Sequence, residues 1–341
     1  MRARDAFSGM SPRRIACLVL AALALLAAVL AGLYWLGTRL ENAGEEETRG
    51  DLSTRFVSEG RVTYNGTTYA KRSNLTSILV LGVDRAETQQ SSSFRQGGQA
   101  DFLLLMLLNH DDKTVRRLQI DRDTMAEIVV LGVLGNISGT RVAQICLSHG
   151  FGDGGKQSSI YTLESVERLL GGVDVDYYMS FELNAIGALN DLLGGVTVTV
   201  QDDFSAYDPS MTPGETLTLT ASQAELFVRS RIDVGDGTNA SRMLRQRAYL
   251  QAASEALAQR MQGNEGFVGT LFDGLKDIMV TNMSRGRLIN EANRAYGYEM
   301  LPLETLEGDY ATGDDGFVEF HADAEAAHAW AMDAFYAPVA Q

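Results

Sequence analysis

The sequence predicts an α/β fold: a layered α/β/α domain around a mixed central β-sheet, preceded by one N-terminal transmembrane helix. Three observations carry this. Short continuous apolar runs rich in β-branched residues read as buried strands. Between them, apolar residues recur at helical spacing and stop at Gly-Gly pairs. A stretch of 24 residues without charge lies near the N-terminus, from Ile15 to Thr38. Strands and helices alternate without segregating, which places helices on both faces of the sheet. At 341 residues, 45% of them apolar, the chain can bury a substantial core. Five prolines and 21% charged residues exclude a disordered, low-complexity chain.

The uncharged stretch runs from Ile15 to Thr38. As a helix it reaches roughly 36 Å, enough to cross a hydrocarbon layer of about 30 Å and longer than a signal-peptide core. The small residues of 27–32 leave cleavage open. Arg2, Arg4, Arg13 and Arg14 precede the run, and Glu41 and Glu45–Glu47 follow it. The positive-inside bias therefore expects residues 1–14 in the cytoplasm, a signal-anchor at 15–38 in the cell membrane, and the remainder outside the cell. Residues 1–40 hold five Arg and one Asp, so the external part carries 24 basic and 43 acidic groups, a net −19. Such a domain repels nucleic acid, and no nucleic-acid partner is expected. Two cysteines, Cys17 and Cys146, read as free thiols, and the four histidines lack metal-ligand spacing.

Residues 39–73 read as a polar juxtamembrane spacer with a small hairpin at Asn65-Gly66. The apolar runs 77–83 and 102–108 read as strands one and two, separated by a mobile Ser/Gln/Gly-rich loop at 86–99. Residues 109–113 form a turn and 115–120 the returning third strand. Thr162 can cap a helix to Leu170, ended by Gly171-Gly172. A short strand at Tyr177-Tyr178 precedes a helix over 183–193. A strand at 196–200 and a helix capped by Ser222 and Glu225, ending near Val228, come next. A longer helix starts at Asn239 or Ser241 and runs to about Met261. Residues 74–262 make the expected main domain; 263–341, closing with an Ala-rich helix at 323–336, are expected to pack on it.

The chemistry concentrates at strand ends. Asp84 follows strand one, Asp101 precedes strand two and Arg122 follows strand three. A hairpin of strands two and three brings Asp101 and Arg122 to one sheet edge, and a parallel strand one adds Asp84. Two convergent carboxylates suit Mg²⁺, which completes its shell with phosphate oxygens; each Asp is otherwise a plain turn residue. Arg229 and Arg231 stand at a helix exit, and Arg242, Arg245 and Gln246 occupy the first turns of the next helix, where backbone N–H groups also favour an anion. Four arginines so close in an acidic chain need a negative partner: a diphosphate gripped by their forks, or the nearby Glu225, Asp233 and Asp236.

Six segments, in order and at matching spacing over residues 77–261, resemble the LytR–CpsA–Psr family of bacterial envelope proteins. They are 78–84 (ILVLGVD), 100–106 (ADFLLLM), 118–124 (LQIDRDT), 192–198 (LLGGVTV), 227–231 (FVRSR) and 242–246 (RMLRQ). The resemblance implies an extracytoplasmic, Mg²⁺-dependent phosphotransferase that moves a glycopolymer from a polyprenyl-pyrophosphate carrier to peptidoglycan. A non-catalytic binder or a pyrophosphatase of the same lipid is the alternative. It further implies that Asp84 and Asp101 hold the metal. Arg122, Arg229, Arg231 and Arg242 would then be catalytic and grip the pyrophosphate, with Gln246 and Arg245 beside them. An apolar cavity lined by helices 183–193 and 244–261 would take the lipid tail.

The chain departs from the family pattern in several places. Ala100 and Phe102 replace hydroxyl residues around Asp101. Asp121 stands where Pro is usual, and Ala143 where Asn is. The arginine common before the second aspartate is absent, and Arg85 or Arg95 is its expected substitute. Asp123 is expected either to fix the arginine cluster or to act as a base.

Overall fold

The computed structural model describes residues 61–84, 97–133, 135–182 and 184–339. The anchor segment 15–38, Arg85, Arg95 and most of the 86–99 loop lie outside the described residues. No helix among the described residues is long and apolar enough to cross a membrane. From Thr63 onward the chain forms one unit.

Asn65 and Gly66, with φ of 48° and 78°, turn β1 (Arg61–Tyr64) into β2 (Thr67–Lys71). Two consecutive left-handed residues match the twist of a two-residue hairpin. The strands end within the expected spacer, and β2 pairs with a strand from the far C-terminus, so the folded body begins earlier than residue 74.

The central sheet is built on β3 (Leu75–Asp84), which is antiparallel to β4 (Gln99–Asn109). A turn through Lys113, at φ 54°, returns β4 into antiparallel β5 (Thr114–Ile120). Strands β3 and β5 therefore run the same way, and their C-terminal ends meet the N-terminal end of β4. After β5 come the hairpin of β6 (Met125–Leu131) and β7 (Ile137–Gln144) and a 3-10 helix, Ile145–Phe151. Helix α1 (Lys156–Leu169) then crosses to β8 (Tyr177–Glu182), parallel to β3.

Helix α1 starts six residues before Thr162. Asp153 supplies the cap instead, accepting the N–H groups of Gly155, Gln157 and Ser158 at 2.7, 3.1 and 3.3 Å. Thr162 lies inside the helix and donates to the Ser158 carbonyl. Gly171 and Gly172, at φ 80° and 86°, end the segment as their lack of a Cβ allows.

Helix α2 (Ala185–Leu193) stops at left-handed Gly194 and leads to the ribbon of β9 (Thr197–Thr199) and β10 (Thr216–Thr218). Helix α3 (Ala221–Arg229) is capped by Thr220 and Gln223, two residues ahead of the expected Ser222–Glu225 box. Helix α4 (Asn239–Met261) begins at the N-cap Thr238, whose hydroxyl accepts the Ser241 N–H.

The C-terminal part contributes to the sheet itself. Helix α5 (Phe267–Leu275) leads to β11 (Met279–Thr281), the edge strand beside β8. Helix α6 (Arg285–Ala295) leads to β12 (Glu299–Thr305), the parallel edge strand beside β5. The hairpin β13 (Gly308–Thr312) and β14 (Val318–Ala322), helix α7 (Ala324–Phe335) and β15 (Tyr336–Pro338) complete the chain. The six-stranded order β11-β8-β3-β4-β5-β12 is mixed, as the sequence predicts.

Strand alternation sorts the layers. Leu79, Leu81, Leu103, Leu105 and Leu107 are almost wholly buried against Val166 and Leu170 of the α1 segment and Ala331 and Phe335 of α7. On the opposite face, Ile78 and Leu108 pack with Met283 and with Leu288 of α6. Helices α2 to α5 build a further core around Phe204, Phe227 and Tyr249, and a cavity opens between that layer and the sheet.

Candidate active site

Asp84 is the last residue of β3. Asp101 is the extra residue of a bulge: Gly82 pairs with Phe102 and Val83 with Ala100, which leaves Asp101 unpaired between them. A bulge breaks the strict alternation of the strand and re-aims one side chain, here the carboxylate. Gly82 sits opposite Phe102 beside the bulge, where a Cβ would stand a tight 3.0 Å from the Phe102 Cβ. Arg122 follows β5 at the same edge of the sheet. Its guanidinium forms a close ion pair with Asp101 and stands 3.3 Å from Asp123.

The second wall comes from helices. Arg229 ends α3, with Arg231 just beyond its exit, and Arg242 and Gln246 are one turn apart on α4. Asp84, Asp101, Arg229, Arg231, Arg242 and Gln246 all line one cavity of about 730 Å³. Arg242 Nη1 lies 3.6 Å from Asp101, and Arg229 lies 4.0 Å from Asp84 and 3.9 Å from Glu225. Arg231 makes no ion pair among the described residues. The rest of the wall is largely apolar, with Phe102 and Phe181 from the sheet, Ile186 and Leu189 from α2, and Tyr249 and Leu250 from α4. Helices α2 and α4 are the two expected beside a lipid tail.

Arg122 and Arg245 do not line the cavity. Arg122 sits behind Asp101, held also by Gln99 and by the Cys146 thiol at 3.3 Å. Arg245 turns the other way. Its side chain is 2% exposed, pairs with Asp202 at 2.5 Å, and donates to the carbonyls of Phe227 and Ser230. This corrects its expected place on the pyrophosphate: it braces the segment that presents Arg229 and Arg231. Asp233 and Asp236 are likewise not ion-paired with these arginines among the described residues, and Asp236 accepts from Thr238.

Burial sets the electrostatics. It lowers the pKa of Arg242 to about 10, against the opposing pull of Asp101. Burial also raises the Asp123 carboxyl above its ordinary range, with Asp121 adding to the effect. Burial opposes the charge on Arg122, yet Cys146, Asp101 and Asp123 outweigh it and raise that group. Burial raises the Cys146 thiol to about 11. The Nε of Arg242 is buried without a hydrogen-bond partner.

Among the described residues no cluster of three or more His, Cys, Asp or Glu side chains forms a metal cage. Asp84 and Asp101 line the same cavity, each facing arginines; Mg²⁺ takes one or two carboxylates when phosphate oxygens and water fill its shell. Sequence reasoning did not reach the groups that hold Asp121. Its carboxylate accepts from Asn239 Nδ2 at 2.7 Å and from the Tyr310 hydroxyl at 2.5 Å. Tyr310 belongs to a region without a motif, so no local signal pointed to it.

A family model described as the LytR_cpsA_psr family matches residues 38–330. The polyisoprenyl-teichoic acid–peptidoglycan teichoic acid transferase TagU of Halalkalibacterium halodurans is 30% identical over 183 residues, 54% of this chain and 53% of that protein. TagU of Bacillus subtilis is 30% identical over 175 residues, 51% and 50% of the two chains. The chain thus spans about half the length of these curated relatives. Among solved structures, protein gbs0355 of Streptococcus agalactiae superposes with a TM-score of 0.63 at 20% identity, covering 76% of this chain and 86% of that one. TagT bound to LI-WTA superposes at 0.57 with 21% identity, covering 76% and 89%. These likenesses show a common fold, and the family match extends over most of the sequence: the chain belongs to the LytR–CpsA–Psr family.

Proposed function

We propose that this protein is a membrane-anchored, extracytoplasmic phosphotransferase that moves a glycopolymer from a polyprenyl-pyrophosphate carrier to peptidoglycan. One observation carries the reading: a cavity that gathers three arginines, Gln246 and two aspartates, and whose remaining wall is largely apolar apart from Glu182, Glu225 and two serines. A lipid diphosphate has the same two-part character. The names of the TagU relatives, as polyisoprenyl-teichoic acid–peptidoglycan transferases, support the same substrate class.

In this reaction an acceptor hydroxyl oxygen bonds to the glycan-side phosphorus. The bond from that phosphorus to the bridging oxygen breaks, polyprenyl phosphate leaves with the electron pair, and the hydroxyl proton is released. Arg229, Arg231 and Arg242 orient the diphosphate and stabilise the charge that develops on its oxygens. A preorganised guanidinium set in a partly desolvated cleft does this better than water. Asp84 and Asp101 are the residues that would hold a Mg²⁺, which would supply further neutralisation of the diphosphate.

The test uses the full chain in vesicles with a polyprenyl-pyrophosphate-linked glycan, peptidoglycan and MgCl₂. Glycan attached to the wall together with released polyprenyl phosphate is the expected result, lost in Asp84→Ala and in Asp101→Ala. Turnover that survives both substitutions overturns the metal assignment, and release without attachment overturns the transfer.

A further inference from the structure

Beside the cavity, a hydrogen-bonded chain runs from half-exposed Tyr310 of the C-terminal hairpin through buried groups to Arg242. The Tyr310 hydroxyl of β13 donates to Asp121 Oδ2 at 2.5 Å. Asp121 Oδ1 accepts from Asn239 Nδ2 at 2.7 Å and from the Asp123 N–H at 2.8 Å. Asn239 Oδ1 in turn accepts from Arg242 Nη2 at 2.5 Å. Asp121, Asn239 and Arg242 are 5%, 8% and 4% exposed, so water does not compete for these bonds. None of Asp121, Asn239 or Tyr310 lines the cavity.

The direction of the Asn239 amide is the key to this arrangement. An amide has a donor end and an acceptor end, and Arg242 needs the acceptor. A carboxylate at 121 has no proton to give and takes the donor end, which leaves the oxygen facing the guanidinium. Without it, a flipped amide would put NH₂ against a cation. The same carboxylate shapes the turn that carries Arg122 and Asp123. The Thr124 N–H closes that turn on the Asp121 carbonyl at 3.1 Å, and the Phe320 N–H of β14 braces it by donating to the Asp123 carbonyl at 2.9 Å.

We infer that Asp121, secured by Tyr310 of the C-terminal hairpin, is a positioning residue that fixes the Asn239 amide and through it the guanidinium of Arg242 toward the bound diphosphate. The inference rests on the functional reading above for the ligand, not for the geometry. It also gives a use to two features the family resemblance left unassigned: an aspartate where Pro is usual, and a C-terminal segment without a motif.

The experiment compares Asp121→Ala, Asp121→Asn and Tyr310→Phe in the full chain. It uses farnesyl diphosphate binding and the ¹⁵N side-chain resonances of Arg242, assigned by their loss in Arg242→Lys. Asparagine keeps an acceptor toward Asn239 and Asp123 and offers its NH₂ to the Tyr310 oxygen. Asp121→Asn is therefore expected to bind within about twofold of wild type and to keep the Arg242 signals. Asp121→Ala should weaken binding about tenfold or more and collapse the Arg242 signals toward free rotation. Tyr310→Phe, a change at a half-exposed ring that leaves the fold intact, should move both readouts in the same direction by less.

Arg242 signals unchanged in Asp121→Ala and Tyr310→Phe overturn the inference, whatever the affinity does. Should Asp121→Ala fail to fold, Tyr310→Phe decides alone. A wild-type protein that binds no diphosphate removes the functional reading, while the Arg242 spectra still decide the positioning.

Discussion

Asp101 faces two arginines that reach it from different layers of the fold. Arg122 approaches from the end of β5, and Arg242 stands 3.6 Å away on α4. The carboxylate neutralises guanidinium charge that an anion would otherwise use, and on the proposed reading it would also offer oxygens to a metal. Asp101→Asn separates the two effects. Inorganic pyrophosphate, in the absence of Mg²⁺, should bind about tenfold tighter to the variant, because one competing negative charge is gone. Turnover with Mg²⁺ should fall by about a hundredfold or more. Calorimetric titration with and without MgCl₂ reads the first effect, and unchanged metal-free affinity would show that Asp101 does not screen the arginines.

Arg245 is predicted to matter for stability before chemistry. Its guanidinium is enclosed by Asp202, the Phe227 and Ser230 carbonyls, and the Phe204 ring at 5.6 Å. Removing one partner of a buried ion pair leaves the other unpaired, which costs about 3–5 kcal/mol. Arg245→Ala should lower the unfolding free energy by that order in a denaturant titration. Arg245→Lys should recover only part, since an ammonium cannot reproduce three directed donors. A loss below about 0.5 kcal/mol, the range of ordinary surface changes, would contradict this role.

Much of this arrangement was legible in the sequence because it follows from local rules. The ends of apolar runs bring Asp84 and Asp101 to one edge, and helical spacing puts Arg242 and Gln246 on one face. Arg245 was not legible. It lies three residues from Arg242, close enough to share its face, and only the position of Asp202, beyond β9, draws it away. The Asp121–Tyr310 pair was hidden for the same reason: 189 positions separate the partners, Tyr310 lies outside every motif, and Asp121 shows only as an exception to the proline of its segment. The α1 start was misplaced because Asp153 caps it from outside the helix, while Thr162 resembles a cap but is spent on the Ser158 carbonyl. Long-range partners, not propensities, decide each of these cases.

Cys146 is buried and free, with its thiol raised to about 11 by burial despite the nearby Arg122. In a Cys17→Ser background it is the single thiol, and it should resist iodoacetamide at pH 8 until the chain is unfolded. The linkage sign follows from the raised value. Below pH 9 both folded and unfolded thiols stay protonated; between about 9 and 11 the unfolded chain releases its proton first. Stability should therefore fall as pH rises through that window. Cys146→Ala should remove that part of the slope, and rapid native-state alkylation at pH 8 would contradict the burial.

The apolar part of the cavity gives the last prediction, which concerns chain length. Leu189 of α2 lines the wall together with Phe181 and Leu250. Leu189→Trp adds an indole to that wall and should shorten the space for an isoprenoid tail while leaving the arginines untouched. Affinity for a long polyprenyl diphosphate should drop about tenfold or more, since each displaced isoprene removes several buried CH₂ groups worth about 0.8 kcal/mol apiece. Inorganic pyrophosphate, which on the proposed reading is held by Arg229, Arg231, Arg242 and Gln246, should bind as to wild type. A series of diphosphates from one to eleven isoprene units, titrated against both proteins, checks it. If the two affinity curves stay parallel at every length, the tail lies elsewhere. If they diverge only beyond a given length, that length measures how deep the chain reaches before it meets position 189.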